Sequence, residues 1–350
     1  MAVFQSRDAS LTSQHKTRRV ISCGVGWSSR GMFLDPASWS GPSTVTMKQN
    51  VKIIVNPAAG ANSTFEKWPA IRSLLKTTGM AFDYELTEAK GHAIEIARAA
   101  ADDGYRCLVA VGGDGTIHEV ANGILQTPNA SRTTLGVVCT GTGSDFSRTI
   151  GIHRDYKRSC AALTGSRRKR IDVGLVEYYG GGTPARRYFL NAAGIGFDAT
   201  VVEATEKLPK YLGGTVPYLF GLVRTFLGYR NKQVSLSFGD GESEEAKVLS
   251  VVVANGRYFG GGMHIAPEAG MDDGQFDIVI VGDFGKMELL CVFPRVYKGT
   301  HLGYRKIRVE RAERLSIESS QRFLLHADGE LLGEGPVAFR LLPLALDLIV

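Results

Sequence analysis

An apolar run over residues 107–111 stops abruptly at Gly112-Gly113-Asp114-Gly115-Thr116, and a helical pattern follows over 117–125. This strand–turn–helix constrains the fold more than any other stretch of the chain. Glycine at the turn permits φ > 0 and lets the backbone come within contact distance of a ligand. The helix N-terminus behind it offers free N–H groups and a positive dipole end, which suit phosphate. Asp114 puts a carboxylate into that anion site, a cost that a cation such as Mg²⁺ or a proton-transfer role would offset. A purely structural turn is the competing reading. The whole pentapeptide in this setting favours nucleotide phosphate.

Two more apolar strands end in small, polar turns. Residues 51–55 run into Asn56-Pro57-Ala58-Ala59-Gly60, and 135–138 run into Gly141-Thr142-Gly143-Ser144-Asp145-Phe146-Ser147-Arg148. In an open parallel sheet such turns gather at the carboxyl edge, where ligands bind. Far along the chain lies Asp328-Gly329-Glu330. These four motifs, over about residues 51–342, resemble the diacylglycerol kinase catalytic family of lipid kinases, which includes the sphingosine and ceramide kinases. Ser144 stands where the family has Asn, and Ser147 where it has Ala. The resemblance implies an α/β N-terminal domain with a parallel sheet, similar to NAD kinases and phosphofructokinases, and a C-terminal antiparallel β-sandwich. It implies ATP and Mg²⁺ as cofactors, with the nucleotide at Asn56, Pro57, Gly60, Thr87, Gly112, Gly113, Asp114, Gly115, Thr116, Thr142 and Asp145.

Composition agrees with a large enzyme. At 350 residues and 44% hydrophobic content the chain can bury two cores. No apolar run of about 18 residues or more occurs, so no membrane-spanning helix is expected. The five cysteines are odd in number and lack a Cys-x-x-Cys pair, which reads as free thiols in a reducing, cytoplasmic setting, with Cys107 and Cys139 packed in strands. Half of the net +6 lies in residues 1–46, where Arg7, Lys16, Arg18, Arg19 and Arg30 face only Asp8 and Asp35. That Ser-, Gly- and Arg-rich stretch is expected to be a disordered leader. A transit peptide is the alternative to Met47 being the true start, and the latter is favoured.

Strands at 51–55, 82–86, 107–111 and 135–138 alternate with helices at 68–76, 92–101 and 117–125. The stripe Ile94–Ala97–Ala101 lines the second helix. The pattern βαβαβαβ predicts a parallel sheet covered on both faces, with one more helix over 154–163. We place this nucleotide-binding domain at 47–170. Short β-like runs at 171–177, 188–193, 234–238, 248–254, 276–281, 306–311 and 315–318 predict an antiparallel substrate domain over 171–342. Residues 343–350 form a C-terminal segment able to return to the first domain. Helices are expected over 216–227 and 286–297. The first is nearly apolar all round, which reads as a core helix or, alternatively, as a wall of an acyl-chain cleft or a membrane contact.

The second half also carries chemistry. Asn191 to Ala199 is similar to a family segment, or is simply a bulged strand. The loop Pro267 to Asp277 holds three Asp and one Glu; alone it reads as solvated, while the resemblance assigns Mg²⁺ to Asp273 and the carbonyls of Gly270 and Gln275. Asp328-Gly329-Glu330 suits an ordinary hairpin turn, and the resemblance makes it the source of the catalytic base, with Asp328 and Glu330 ranked together beside Asp114. Arg167 to Arg170 reads as a solvated loop, with anionic headgroups as the alternative. The expected partners are a lipid alcohol, diacylglycerol foremost, and a peripheral membrane surface, with a homodimer left open. Nucleic acid is excluded, because no aromatic-interleaved basic stripe occurs. A sphingoid or ceramide-like substrate, an NAD kinase-like activity and a non-catalytic relic are the competing functions.

Overall fold

Hydrophobic runs bounded by glycine-bearing turns become strands that pair along their whole length. The computed structural model describes residues 50–206 and 215–350 apart from Thr142, and no side chain over 215–220. The expectations for residues 1–46, Met47, Cys23 and Thr142 therefore fall outside the described residues. β1 (Val51–Val55) lies parallel between β2 (Asp83–Leu86) and β3 (Cys107–Gly112), and β3 pairs in parallel with β4 (Thr134–Cys139). Alternate residues of these strands feed opposite faces. Ile53, Val55, Val109 and Val111 pack beneath α1 (Ser63–Thr77) and α5 (Tyr156–Ala162), while Ile54, Leu108 and Ala110 pack beneath α2 (His92–Asp102) and α3 (Asp114–Leu125). This is the two-faced burial that a parallel sheet demands.

Several boundaries differ from the sequence reading. α1 begins at Ser63 and carries Pro69 inside it. α2 buries Ala93, Ile96, Ala97, Ala100 and Ala101, so Ala97 and Ala101 of the expected stripe lie in the core while Ile94 is half-buried at its margin. α3 begins at Asp114 itself. Its Gly123 lets α2 approach closely, since a Cβ there would lie 2.5 Å from the Ile94 carbonyl oxygen. A short helix, α4 (Asp145–Ile150), was not foreseen, because its N-terminus is satisfied by a side chain from another element rather than by a local cap.

Beyond residue 167 the pairing turns antiparallel. β5 (Arg168–Gly180) begins inside the basic segment, so Arg168 to Arg170 are strand and not the solvated loop their charge suggests; Lys169 pairs with Asp272 at 3.2 Å and Arg170 with Asp347 at 2.9 Å. β5 pairs with β6 (Thr183–Phe189), and β7 (Ala192–Gly196) leads into α6 (Phe197–Glu206) and α7 (Thr215–Gly228). β8 (Lys232–Phe238), β9 (Ser243–Val248), β10 (Ser250–Ala254), β11 (Phe276–Val281), α8 (Lys286–Val296), β12 (Ile307–Ala312), β13 (Arg314–Glu318) and β14 (Leu324–Ala327) follow. Strand order β12-β11-β10-β7-β14 makes one layer, and β5, β13 and β8 face it across a core of Phe189, Phe276, Ile317 and Phe339. Helices α6 to α8 cover the outer face of the first layer through Phe197, Val201, Phe226 and Val292.

The last strand, β15 (Glu330–Ile349), runs antiparallel to β5 and then pairs in parallel with β4 at Thr134 and Leu135. It ties both halves together, and Lys48–Val350 form one compact unit. α7 is not buried all round as a core helix would be. Leu222 and Phe226 pack inward, while Val223 and Leu227 are 50% and 63% exposed. Among the described residues no helix is long and apolar enough to cross a membrane. Cys107, Cys139, Cys160 and Cys291 are free thiols, and burial pushes Cys107 and Cys160 up to about 11, too high for ready ionisation.

Candidate active site

Three turns meet at the carboxyl edge of the parallel sheet. Asn56 Nδ2 donates to Thr116 Oγ1 at 3.0 Å, and the Ala58 N–H donates to Asn56 Oδ1 at 3.1 Å, so the first turn is tied to the Gly-Gly-Asp-Gly-Thr turn. Thr87 sits at the same edge, its N–H donating to the Val55 carbonyl at 2.8 Å. The glycines of the central turn serve a purpose other than the one expected. Gly113 has an extended φ of −103°, and left-handed glycine occurs instead at Gly60, with φ 61°. Gly112 and Gly141 are required for space: a Cβ would lie 2.3 Å from Thr116 Oγ1 at the former and 2.6 Å from Gly113 Cα at the latter. The turns at Gly112 and Gly141 thus stack backbone on backbone.

Asp114 opens α3 and caps α4, its oxygens accepting from the N–H groups of Asp145 at 2.9 Å and Phe146 at 3.3 Å. Burial nevertheless pushes its carboxyl up, more than those bonds lower it, and the neighbouring charge of Asp328 adds to the rise. Asp145 accepts from the Gly261 N–H at 2.7 Å through Oδ2, while its Oδ1 is buried without a hydrogen bond. Burial, with the charge of Asp114, pushes Asp145 up to about 6. The Arg148 guanidinium lies 3.6 Å from that Oδ1, so two buried carboxylates with raised affinity for protons face a single cation, and a second would be stabilised there. Ser144, at the position of the family's Asn, takes a left-handed φ of 56° and is held by Oγ contacts to Cys139 Sγ at 2.8 Å and the Gly141 carbonyl at 3.3 Å.

Asp328 and Gly329, with φ 47° and 79°, form the two-residue turn between β14 and β15, so the motif is indeed a hairpin. Its two carboxylates differ sharply. Asp328 accepts from the N–H groups of Leu190 at 2.7 Å, Asn191 at 2.9 Å and Ala192 at 3.0 Å, and from His118 Nδ1 at 3.0 Å. Every lone pair in easy reach is occupied. Burial alone would raise its pKa, but His118 and these N–H groups hold it below the usual carboxylate range. Glu330 is 19% exposed at its side chain, with Arg187 3.2 Å and Lys90 3.7 Å from Oε1 and His118 Nε2 3.4 Å from Oε2. These cations likewise overcome burial and hold Glu330 low.

His118, Lys90 and Arg187 escaped the sequence reading. His118 had a signal, since it lies one turn beyond Asp114 and one turn before Asn122 on the same helix face. Lys90 and Arg187 had none. Burial pushes the His118 imidazole down, but hydrogen bonds to Asp328 and Glu330, with their charges, outweigh it and raise the pKa to about 9. Behind the hairpin, His326 Nε2 pairs with Asp198 Oδ2 at 3.0 Å, and Ser250 Oγ donates to Asp198 Oδ1 at 2.6 Å, which anchors the Asn191–Asp198 segment to β14 and β10.

The acidic loop before β11 stands elsewhere. Asp273 Oδ1 accepts from the Gln275 N–H at 3.2 Å, Oδ2 pairs with Arg311 at 3.1 Å, and a Cβ on Gly270 would lie 3.0 Å from that oxygen. Among the described residues no three His, Cys, Asp or Glu side chains group as a metal site. Asp172, fully buried, accepts from the N–H groups of Gly274 at 2.8 Å and Leu344 at 2.7 Å, tying this loop to β15.

Comparison with known proteins bears on this geometry. Residues 50–176 match the diacylglycerol kinase catalytic domain, and residues 191–350 match the YegS C-terminal NAD kinase beta sandwich-like domain. The diacylglycerol kinase of Staphylococcus aureus (strain MRSA252) is 30% identical over 295 residues, covering 84% of this chain and 90% of that protein. The chain belongs to the diacylglycerol kinase catalytic family. The diacylglycerol kinase of Bacillus subtilis (strain 168) is 29% identical over 293 residues, covering 83% and 93%. A crystal structure of a diacylglycerol kinase from Bacillus anthracis str. Sterne shares the fold, at TM-score 0.64 and 23% identity over 87% of this chain and 97% of that one. A second structure from that organism reaches TM-score 0.69 at 27% identity, covering 87% and 98%. In this lipid kinase, α3 is the element that joins the turn at Asp114 to the hairpin at Glu330.

Proposed function

We propose that the chain transfers the γ-phosphate of ATP to the hydroxyl of a lipid alcohol, diacylglycerol first, giving phosphatidic acid. The observation that carries this reading is the α3 connection. Asp114 opens the helix at the phosphate turn, and one turn later, about 6 Å along the axis, His118 touches both carboxylates of the hairpin. Phosphoryl transfer asks mainly for alignment and charge neutralisation. The Asn56–Gly60 turn, with Gly112 to Thr116, would seat the phosphates, and Thr87 and Thr142 are proposed nucleotide contacts.

Glu330 is the proposed proton acceptor, since one of its oxygens faces no more than a 3.4 Å contact and its side chain reaches solvent. Asp328 is proposed to hold the hairpin. As the lipid oxygen bonds to phosphorus, the bond to the ADP oxygen breaks and the hydroxyl proton passes to the Glu330 carboxylate. A weak base suffices, because the hydroxyl proton is lost late in a loose transition state.

Mg²⁺ would neutralise phosphate charge, and the carboxylates of Asp114 and Asp145 offer oxygen donors for it, with Asp145 Oδ1 in no hydrogen bond and 3.6 Å from Arg148. The set of Gly270, Asp273 and Gln275 is also oxygen-only and suits a hard cation once Arg311 releases Asp273. Val223 and Leu227 of α7 and Met287 and Leu290 of α8 are exposed apolar side chains, and Lys286 Nζ at the start of α8 donates to the Leu227 carbonyl. This apolar, cation-bordered face is the proposed contact with a membrane surface.

The test is incubation of the purified protein with ATP and Mg²⁺ and either NAD or a panel of diacylglycerol, monoacylglycerol, sphingoid base and ceramide in mixed micelles. Phosphorylation of diacylglycerol above the other lipids is expected. Transfer to NAD alone, or to no lipid, would overturn the proposal.

A further inference from the structure

His118 is 3% exposed and takes no part in the chemistry just described. It stands on the helix that opens at Asp114, and its two ring nitrogens address two different carboxylates, Asp328 at 3.0 Å and Glu330 at 3.4 Å. The turn that carries the ring is held from behind. Asn122 Nδ2 donates to the His118 carbonyl at 3.0 Å, and the Asn122 amide is fixed by exchanging hydrogen bonds with the Tyr188 backbone at 2.9 and 3.0 Å. Arg187 and Lys90 both address Glu330 Oε1, whereas His118 addresses Oε2. A glutamate side chain turns freely about three bonds unless both of its oxygens are tethered.

We propose that His118 is a positioning residue: by bridging Asp328 and Glu330 it fixes the Glu330 carboxylate relative to the phosphate turn that opens the same helix. Asp328 anchors the hairpin backbone on β6 and β7, and His118 transfers that anchoring to the side chain that receives the proton. With both nitrogens donating N–H to carboxylates, the ring is charged and has no lone pair with which to take the substrate's proton. The raised pKa of about 9 agrees with that state at neutral pH. The charged and titratable groups around the bridge are Asp328 and Glu330 on the hairpin, Arg187 on β6, Lys90 before α2, Tyr178 on β5 and Asp114 on α3.

The inference rests on Glu330 being the proton acceptor, so the experiment treats the two separately. Turnover, KM for ATP and the pH dependence of kcat are measured for His118→Phe, His118→Gln, Glu330→Gln and the double variant His118→Phe/Glu330→Gln. Expected for His118→Phe is a tenfold or larger fall in kcat with KM for ATP within about threefold of the parent. The acid limb of kcat should also move to higher pH, because Glu330 loses a cation that holds its carboxyl low. His118→Gln keeps one donor and should lose less; it carries the test should the Phe variant fail to fold. The double variant should be no slower than Glu330→Gln alone.

A folded His118 variant with parental kcat and an unmoved acid limb overturns the inference, as does a double variant slower than either single one by the product of their losses. Full turnover in Glu330→Gln would instead strike the proton-acceptor assignment, whatever the His118 variants do.

Discussion

Replacing Asp328 with asparagine separates anchoring from catalysis. Asparagine suits the left-handed φ of 47° as well as aspartate does, so the turn itself is unperturbed. The hydrogen bonds are not preserved. Each carboxylate oxygen accepts two donors: Oδ1 from Asn191 and Ala192, and Oδ2 from Leu190 and His118. An amide must point its NH₂ at one of those pairs. The less costly orientation faces Leu190 and His118, because the imidazole can give up a proton and accept, yet the Leu190 N–H is then left unpaired. One charge-assisted bond worth about 1.5–3 kcal/mol is lost, and the two at Oδ1 weaken to neutral ones worth about 1 kcal/mol each. The total comes to about 2.5–7 kcal/mol, a sizeable share of the roughly 5–15 kcal/mol by which domains are stable. With about 2–4 °C per kcal/mol for chains of this order of size, Tm should fall by roughly 5–28 °C. Thermal and urea unfolding of the parent, Asp328→Asn and Glu330→Gln check this. Glu330→Gln, which leaves all four Asp328 bonds in place, should lose less than half as much. An Asp328→Asn protein melting within about 2 °C of the parent would refute the anchoring argument.

Glu330→Gln should lower kcat at least tenfold, about 1.4 kcal/mol of barrier, with ATP affinity nearly unchanged in a direct binding assay. Asp114→Asn should reduce turnover by orders of magnitude while circular dichroism stays parental, since it removes one charge without altering shape; near-normal turnover would remove Asp114 from the site. Asp273→Ala should narrow the stabilisation that Mg²⁺ gives the parent in melting experiments, and the two proteins should converge in chelator; identical curves in Mg²⁺ would count against the loop site. Asp145 has a folded pKa raised to about 6, so its contribution to stability is present below pH 4 and lost as pH rises through 6. In metal-free buffer the stability of Asp145→Asn relative to the parent should therefore improve between pH 4 and pH 7, by up to about 3 kcal/mol, and a flat difference would contradict the assignment.

The periodicity and punctuation of the chain were enough to determine the parallel sheet, the change of texture near residue 170 and the motif positions. Strand–turn–helix signals are local: apolar residues alternate between two buried faces at β1 and β3, and glycine marks where the backbone must turn or approach. The hairpin at Asp328-Gly329 was equally legible, because left-handed backbone at two successive residues is written in their identity. Other features depend on partners distant in sequence and left no local trace. α4 exists because Asp114, 31 residues earlier, caps it. The basic residues 168–170 extend a strand because β15 lies beside them.

The two carboxylates of the hairpin look interchangeable in sequence. Tertiary structure alone separates them, by aiming three backbone N–H groups from the β6–β7 segment at Asp328 and leaving Glu330 among cations near solvent. The physical reason is that a carboxylate's role follows from which donors surround it, and at this site all of those donors are contributed by segments more than a hundred residues away.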